Sequence, residues 1–512
     1  MTDKQNSQQK IEEQRRIAAM QPSPEDLAEP LAEPVGAIRG GSLAGKTMWA
    51  AIWLLAIPIL VQQILVATVG LADKIFAGAL PAEVVLPAMD AIGIGSYIGW
   101  FIAIAVSGVG IGAQALIARA MGCGDVASSE KVLGQSLMLA FVWGSIVAVA
   151  LWFGAVPLGE LCHLSAEANV YLIQYIRVVA IGMPACSVMT TGAMALHGSG
   201  DTIRPAAVAI IVNIVNVFVS WGLSGADVRF GESLLQNPMS WDLHVIGIAA
   251  GTACAYFVGG LLIVLVLVRG IKDLQLHFRD LIPDFALFWR IAKIGVPNFF
   301  EGLSMWAANL FVLQFIGQIA VKMARELDSG EPVIQGLQGA HVIGVQWESF
   351  SFLPGFAIGI AAGTLAGQYL GANNVNQAKK AVIACVFLAI LFMGTLGVVM
   401  MFAGHALTAI ISTEPLHLEL VPQLLFIAGV TQVGFAIMMV LRQALKGVGD
   451  TVWTLLITSF SSWCIRLPAV WFLGVYLDLG LIGIWYALCG EMVIRALFFA
   501  IRFWQGGWIK RI

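Results

Sequence analysis

Apolar residues run along this chain in stretches of roughly twenty or more, separated by short polar turns, from residue 47 to residue 503. Stretches of that length cross ~30 Å of hydrocarbon as helices. The short alternation of apolar and polar residues that marks a membrane barrel is absent from the sequence. The pattern predicts twelve spans, at 47–78, 86–118, 129–154, 166–196, 202–224, 244–269, 286–321, 338–370, 376–403, 415–446, 452–475 and 479–503. The first and seventh are unusually long. The fold class expected is an all-α polytopic membrane protein.

The pattern also repeats. "ALHGSGDT" from Ala195 to Thr202 and "ALKGVGDT" from Ala444 to Thr451 share six of eight letters at an offset of 249 residues. "GIGAQALIARAMG" from Gly110 overlays "GIAAGTLAGQYLG" from Gly359 at the same offset. Pro58 and Pro297 correspond at an offset of 239. The chain therefore reads as two six-helix halves crossing the membrane in the same sense, a parallel internal repeat. Each octapeptide falls between two spans. Its glycines suit a helix end with positive φ, and Asp201 or Asp450 suits a cap on the next helix.

Composition agrees with the pattern. The 512 residues are 59% hydrophobic and 12% charged, against about 25% charged in soluble domains. Of the 28 Lys and Arg, 20 lie in the tails or in every second loop. The alternate loops hold only Lys74, Arg229, Lys322 and Arg325, and Arg177, Arg442, Arg466 and Arg495 fall within spans. The positive-inside rule then places both termini in the cytoplasm of a multi-pass protein of the cell (inner or plasma) membrane. The expected organisation is a disordered cytoplasmic tail at 1–45, an N-terminal lobe at 46–270 and a cytoplasmic linker at 271–285. A C-terminal lobe at 286–505 and a short cytoplasmic tail at 506–512 follow.

Several chemistries find no support. The seven cysteines are scattered without a CxxC and read as buried thiols. No P-loop, metal-ligand spacing or nucleophile–base arrangement occurs, so neither an enzyme nor an ATP-driven pump is expected, and no metal or cofactor. Ionisable groups inside spans mark function by default. Asp73 and Gln62 share a face of span 1. Asn213, Asn216 and Ser220 share one in span 5. Asn298, Glu301, Met305 and Asn309 line span 7, and His341, Trp347 and Glu348 lie in span 8. Asp73, Asn213 and Asn216 are candidates for binding a coupling cation. Gln62, Glu301, Met305, Asn309, His341, Trp347 and Glu348 are candidates for a substrate cleft. Each has a plainer reading as an interhelical contact, such as Asp73 with Lys74 or Glu348 with Arg466. Glu491 and Arg495, four apart, read as a structural ion pair.

Taken in order, "LAIPILVQQILVATVGLADKIFAG", "GIGAQALIARAMGCGD", "ALHGSGDTIRP", "VNIVNVF", "IAKIGVPNFFEGL", "SFLPGFAIGIAAGTLAGQYLGANN", "LRQALKGVGDT" and "WCIRLPAVWFLG" resemble the MATE family, the multidrug and toxic compound extrusion transporters. The resemblance covers about 46–510. It implies two lobes around a V-shaped cleft, and export of organic cations in exchange for Na⁺ or H⁺. Asp73 matches the first-span Asp common in the family, and Asn216 matches a span-five Asn of the DinF-like branch. Glu301 lies in the span where NorM-like members carry an acid. The chain departs where the DinF-like pattern has a span-five Asp, here Ser220, and a span-six Thr, here aligned with Tyr256. It also lacks the tenth-span Asp of NorM-like members.

The function expected is a secondary active antiporter of amphipathic organic cations, with Na⁺ or H⁺ as coupling ion. The expected partners are small-molecule cations and the lipid bilayer, with no nucleic acid and no need for more than a monomer. A flippase of lipid-linked saccharide is the alternative and would favour basic residues in the cleft. A channel or receptor is a more distant one.

Overall fold

The computed structural model describes residues 37–161, 164–230, 233–237, 239, 241–270, 272–326 and 336–509. Most of the expected tail at 1–45, Cys162 and the loop at 327–335 lie outside them. Eleven helices among the described residues are long and apolar enough to cross a membrane, and a bent pair supplies a twelfth. Spans 1 to 3 are Met48–Gly78, Val85–Cys123 and Val126–Leu161. Span 4 is Ala166–Ile181 plus Met183–Ser199, bent by 54° at Gly182. Pro184 lies just past the bend and cannot donate a hydrogen bond back into the first half. Spans 5 and 6 are Ile203–Ser224 and His244–Arg269, joined by a small hairpin, Val228–Phe230 paired with Ser233–Leu235. Spans 7 to 10 are Phe285–Glu326, Leu337–Gly371, Val375–Ile411 and Pro415–Gly447. Span 11 starts at Thr451 and passes through two π-helical segments, Ser461–Arg466 and Trp471–Tyr476. Span 12 is Gly480–Gln505.

Spans 1 and 7 cross between lobes at their prolines. Before Pro58, Ala51, Ile52, Leu55 and Ala56 pack into a core made mostly of spans 8, 9, 10 and 12. Past it, Ala72 and Phe76 belong to a core of spans 2, 5 and 6. Span 7 mirrors this. Leu287, Ile291 and Ile294 pack among spans 2, 3, 4 and 6, whereas Val312 and Ile316 pack in the C-terminal lobe. The lobes therefore interlock on the octapeptide side. Toward the opposite side the buried cores each come from a single lobe. Within residues 38–509 the two lobes share their cores on the octapeptide side.

The joint uses the repeated sequence against itself. A Cβ on Gly122 would sit 1.9 Å from the Gln368 carbonyl oxygen, and one on Gly371 would sit 2.0 Å from that of Arg119. Gly122 and Gly371, like Arg119 and Gln368, correspond at the 249-residue offset. Gly108 and Gly295 exclude a Cβ from each other in the same way. Small residues permit this backbone approach, which is how helices gain contact where lipid competes equally for apolar surface. Polar bonds pin the register: Gln114 Nε2 donates to Thr364 Oγ1 at 3.1 Å, Thr364 Oγ1 to the His197 carbonyl at 3.2 Å, and Gln368 Nε2 to the Gly198 carbonyl at 2.8 Å.

The octapeptides end their helices at Gly200 (φ +88°) and Gly449 (φ +80°). Gly198 and Gly447 stay helical and serve close packing instead, against Gln114 and Gly363. Asp201 caps span 5, accepting from the backbone of Ile203 and Arg204 at 3.1 and 3.2 Å. Asp450 makes no side-chain cap, contrary to expectation. Its carboxylate takes Arg502 Nε at 2.7 Å, a charge-assisted bond from span 12. Residues 38–46 pack on this face: the Gly40 and Ser42 N–H groups donate to Met121 and Ser199 carbonyls at 3.0 and 3.1 Å, and Leu43 is fully buried over Gly200. At the other end Trp508 is buried and stacks on Phe503 at 5.2 Å.

Gly122→Ala is expected to lower stability by roughly 1–3 kcal/mol, because the facing atom is backbone and cannot swing away. Gly394→Ala, with nothing within 4 Å of its Cβ position, is expected to be neutral or slightly stabilising. Thermal unfolding of the detergent-solubilised protein distinguishes them, and equal shifts would mean that the joint is looser than described.

Candidate functional site

Asp73 lies one turn from the end of span 1, on the side away from the octapeptides, and is 5% exposed. The bend in span 4 follows closely on Tyr175, whose hydroxyl donates to Asp73 Oδ2 at 3.5 Å. Room for that ring comes from span 2, where a Cβ on Gly95 would strike it at 2.9 Å. Thr252 Oγ1 of span 6 also donates to Asp73 Oδ2 at 3.5 Å and accepts from Asn216 Nδ2 of span 5 at 3.1 Å. Both contacts to the carboxylate are long, hence weak. Among the described residues no basic side chain pairs with Asp73, and Lys74 points outward and is exposed. The Oδ1 atoms of Asp73, Asn213 and Asn216 are buried without a partner. A cavity of about 40 Å³ adjoins, lined by Tyr175, Thr252 and Tyr256 among others. It has room for a few water-sized particles and none for a drug-sized molecule.

This arrangement changes one reading of the sequence. Tyr256 was the residue aligned with the DinF-like Thr, but Thr252, one helical turn earlier, is the residue that meets Asn216 and Asp73. Tyr256 lines the cavity instead. Ser220 donates to the Ile248 carbonyl at 3.2 Å and seats span 5 on span 6. Asn213 donates to its own helix at the Ala209 carbonyl, 3.0 Å away.

Two acids of the C-terminal lobe, Glu301 and Glu491, are held quite differently. Glu301 is fully buried and does not offer a free carboxylate to a cleft. It accepts from Arg442 Nε at 2.5 Å and Thr458 Oγ1 at 3.0 Å, pairs with Lys446 Nζ at 2.9 Å, and takes a longer bond from Thr454 Oγ1 at 3.3 Å. Glu491 likewise sits between two cations, Arg466 Nη2 at 2.9 Å and Arg495 Nε at 2.7 Å, and accepts from Ser461. The π-helical turn over Ser461–Arg466 brings Ser461, Ser462 and Arg466 together on this buried side. Arg466 Nη1 donates to Asn309 Oδ1 at 3.0 Å, and Arg495 Nη1 approaches Met305 Sδ at 3.7 Å. Asn309 and Met305 are thereby tied into the ionic cluster. Asn298 bridges the lobes, donating to Ser107 Oγ at 3.2 Å. His341 is buried, and its Nδ1 accepts from Trp485 Nε1 at 3.1 Å. Gln62, Trp347 and Glu348 are half-buried, and Gln62 Oε1 lacks a partner.

The sequence placed Arg442 and Arg466 inside spans, and a buried guanidinium demands an acid. That rule could have joined them to the span 7 and span 12 acids. Nothing in the sequence marked Tyr175. Glu301→Gln is expected to destabilise the protein by roughly 3–5 kcal/mol, since it strands two buried cations. Lys446→Met leaves Glu301 paired with Arg442 and is expected to cost less. Thermal unfolding reads both, and a Glu301→Gln protein as stable as wild type would contradict the ionic knot.

Comparison with known proteins covers the same ground. The MatE family model matches residues 58–221 and 297–472, one stretch in each lobe. A probable multidrug resistance protein NorM of Thermotoga maritima is 26% identical over 457 residues, 89% of this chain and 92% of its own length. The multidrug resistance protein PmpM of Pseudomonas aeruginosa is 24% identical, over 88% of this chain and 89% of its own. A solved structure described as the outward-facing conformation of a multidrug resistance MATE family transporter of the MOP superfamily has a TM-score of 0.80 at 20% identity, covering 94% of this chain and 99% of its own. A MOP superfamily transporter from Pyrococcus furiosus, described as having a binding pocket of reverse polarity, matches with the same TM-score at 19% identity, with coverage of 94% and 99%. With both lobes matched in order and the two-lobed helical fold shared, this chain belongs to the MatE family of MATE multidrug efflux transporters.

Proposed function

We propose that the protein exports amphipathic organic cations in exchange for Na⁺ or H⁺ by alternating access, with Asp73 as the coupling group. The observation that carries this reading is a buried carboxylate with no cationic partner among the described residues. An unpaired ionised carboxylate in the membrane interior is costly and is relieved by a proton or a cation. The unpartnered oxygens of Asp73, Asn213 and Asn216 suit either, and the 40 Å³ cavity fits an ion better than a substrate. The half-buried Gln62, Trp347 and Glu348 are the groups left to meet the organic molecule.

In this reading the octapeptide face is cytoplasmic and the cleft opens outward, in the cell membrane, with both termini inside and a monomer as the working unit. The curated relatives are named multidrug resistance proteins, which supports small-molecule substrates. A flippase of lipid-linked saccharide would want free basic residues in the cleft. Arg442, Lys446, Arg466 and Arg495 are bound to Glu301 and Glu491, which does not favour it.

Dye efflux from proteoliposomes under imposed Na⁺ or H⁺ gradients tests the proposal. Wild type is expected to need one of the gradients, and Asp73→Asn to lose gradient-driven efflux while remaining folded. Dye flux independent of both gradients would rule out exchange, and normal coupling in Asp73→Asn would remove Asp73 from the mechanism.

A further inference from the structure

The basic side chains of the octapeptide face divide into two groups. Lys131 pairs with Asp284 at 2.7 Å, and Arg204 pairs with Asp201. Arg119, Arg290 and Lys293 have neither an acidic partner nor a hydrogen-bonded one among the described residues. Arg119 ends span 2, and the other two lie in the first turns of span 7.

Helix packing draws Arg119 and Arg290 together, and Lys293 follows Arg290 by three residues on span 7. Spans 2 and 7 run antiparallel, with Gly108 against Gly295 and Gly112 against Ile291. Helical side chains lean toward their own N-terminus. In this register Arg119 and Arg290 therefore lean toward one another along the shared groove. Arg119 Nη1 is buried and bonded to nothing. A buried guanidinium N–H near a second cation is unfavourable unless an anion completes it. The surroundings say which kind of anion. Phe285 and Trp289, on the same turns of span 7, are 80% and 72% exposed. Aromatic side chains beside Lys and Arg at a span end occupy the headgroup level of a bilayer. The Arg119 carbonyl meanwhile abuts Gly371 of the other lobe, so the cluster borders the joint between lobes.

We propose that the phosphate of an anionic phospholipid binds among Arg119, Arg290 and Lys293, with Phe285 and Trp289 flanking its headgroup. The planar guanidinium forks match phosphate oxygens. The bound headgroup relieves the repulsion beside the joint and so favours the state closed on the octapeptide face.

The test uses the full chain in a neutral detergent. Thermal unfolding is followed with added phosphatidylglycerol, phosphatidylcholine or inorganic phosphate, and retained lipid is counted by native mass spectrometry. Phosphatidylglycerol alone is expected to raise Tm and to be retained. The Arg119→Gln/Arg290→Gln/Lys293→Gln variant is expected to bind it on the order of a hundredfold more weakly, about fivefold per charge. Lys379→Gln/Lys380→Gln, which removes two charges elsewhere on that face, is expected to bind it like wild type. Arg290→Gln alone changes an exposed residue and serves if the triple variant does not fold; its expected loss is about fivefold. Undiminished binding in the triple and single variants would overturn the site. Equal loss in the Lys379/Lys380 variant would reduce it to diffuse charge attraction, and equal protection by inorganic phosphate would replace the lipid with a free anion. Either result overturns the proposal.

Discussion

Two helical lobes in a bilayer gain no hydrophobic free energy by meeting, because lipid tails are as apolar as leucine. The joint of this protein depends instead on backbone-to-backbone approach across glycine. Gly122 against Gln368 and Gly371 against Arg119 are one contact made twice, related by the internal repeat. The interlocking of spans 1 and 7 follows from it. Their octapeptide-side halves are trapped in the opposite lobe's core, and their far halves part at the prolines. Shared cores on one side and single-lobe cores on the other are the geometric result.

The same repeat exposes a division of labour in charge. At the corresponding positions, Glu301 answers to Gln62 and Lys446 to His197. In the C-terminal lobe the pair is ionic and closed. In the N-terminal lobe neither side chain makes an ion pair among the described residues, and Gln62 Oε1 and both His197 nitrogens are buried without partners. Asp73 answers to Val312, a core residue. The N-terminal lobe therefore holds Asp73 without a counter-charge, while the C-terminal lobe neutralises Glu301 and Glu491 internally and, among the described residues, leaves Glu348 without an ion pair. Buried acids are expensive in either lobe. An acid flanked by two fixed cations is a stable strut, whereas one without any is poised to take up a mobile cation.

The spans were legible in the sequence because each must bury twenty or so apolar residues in hydrocarbon, a constraint that acts locally and needs no partner. The duplication was legible because its offset survives in the octapeptide and in the glycine-rich segments. The Glu491–Arg495 pair was legible because four residues along a helix bring side chains together. Where a contact spans two helices, sequence spacing carries no such information. The Thr252 contact is one turn away from the Tyr256 expected by alignment, and Asp450 binds Arg502 rather than capping its helix.

The sequence by itself thus determined the membrane class, the number and order of the helices, the twofold repeat and which polar residues are carried into the bilayer. Tertiary structure alone decided which of those residues are neutralised and which are left unpaired. Glu301 and Asp73 look alike as single acids in apolar helices. They differ because Arg442 and Lys446 reach the first from another span, while among the described residues the polar groups that meet the second are hydroxyls. Charge compensation is a matter of a few ångströms between helices, and that distance is set by packing.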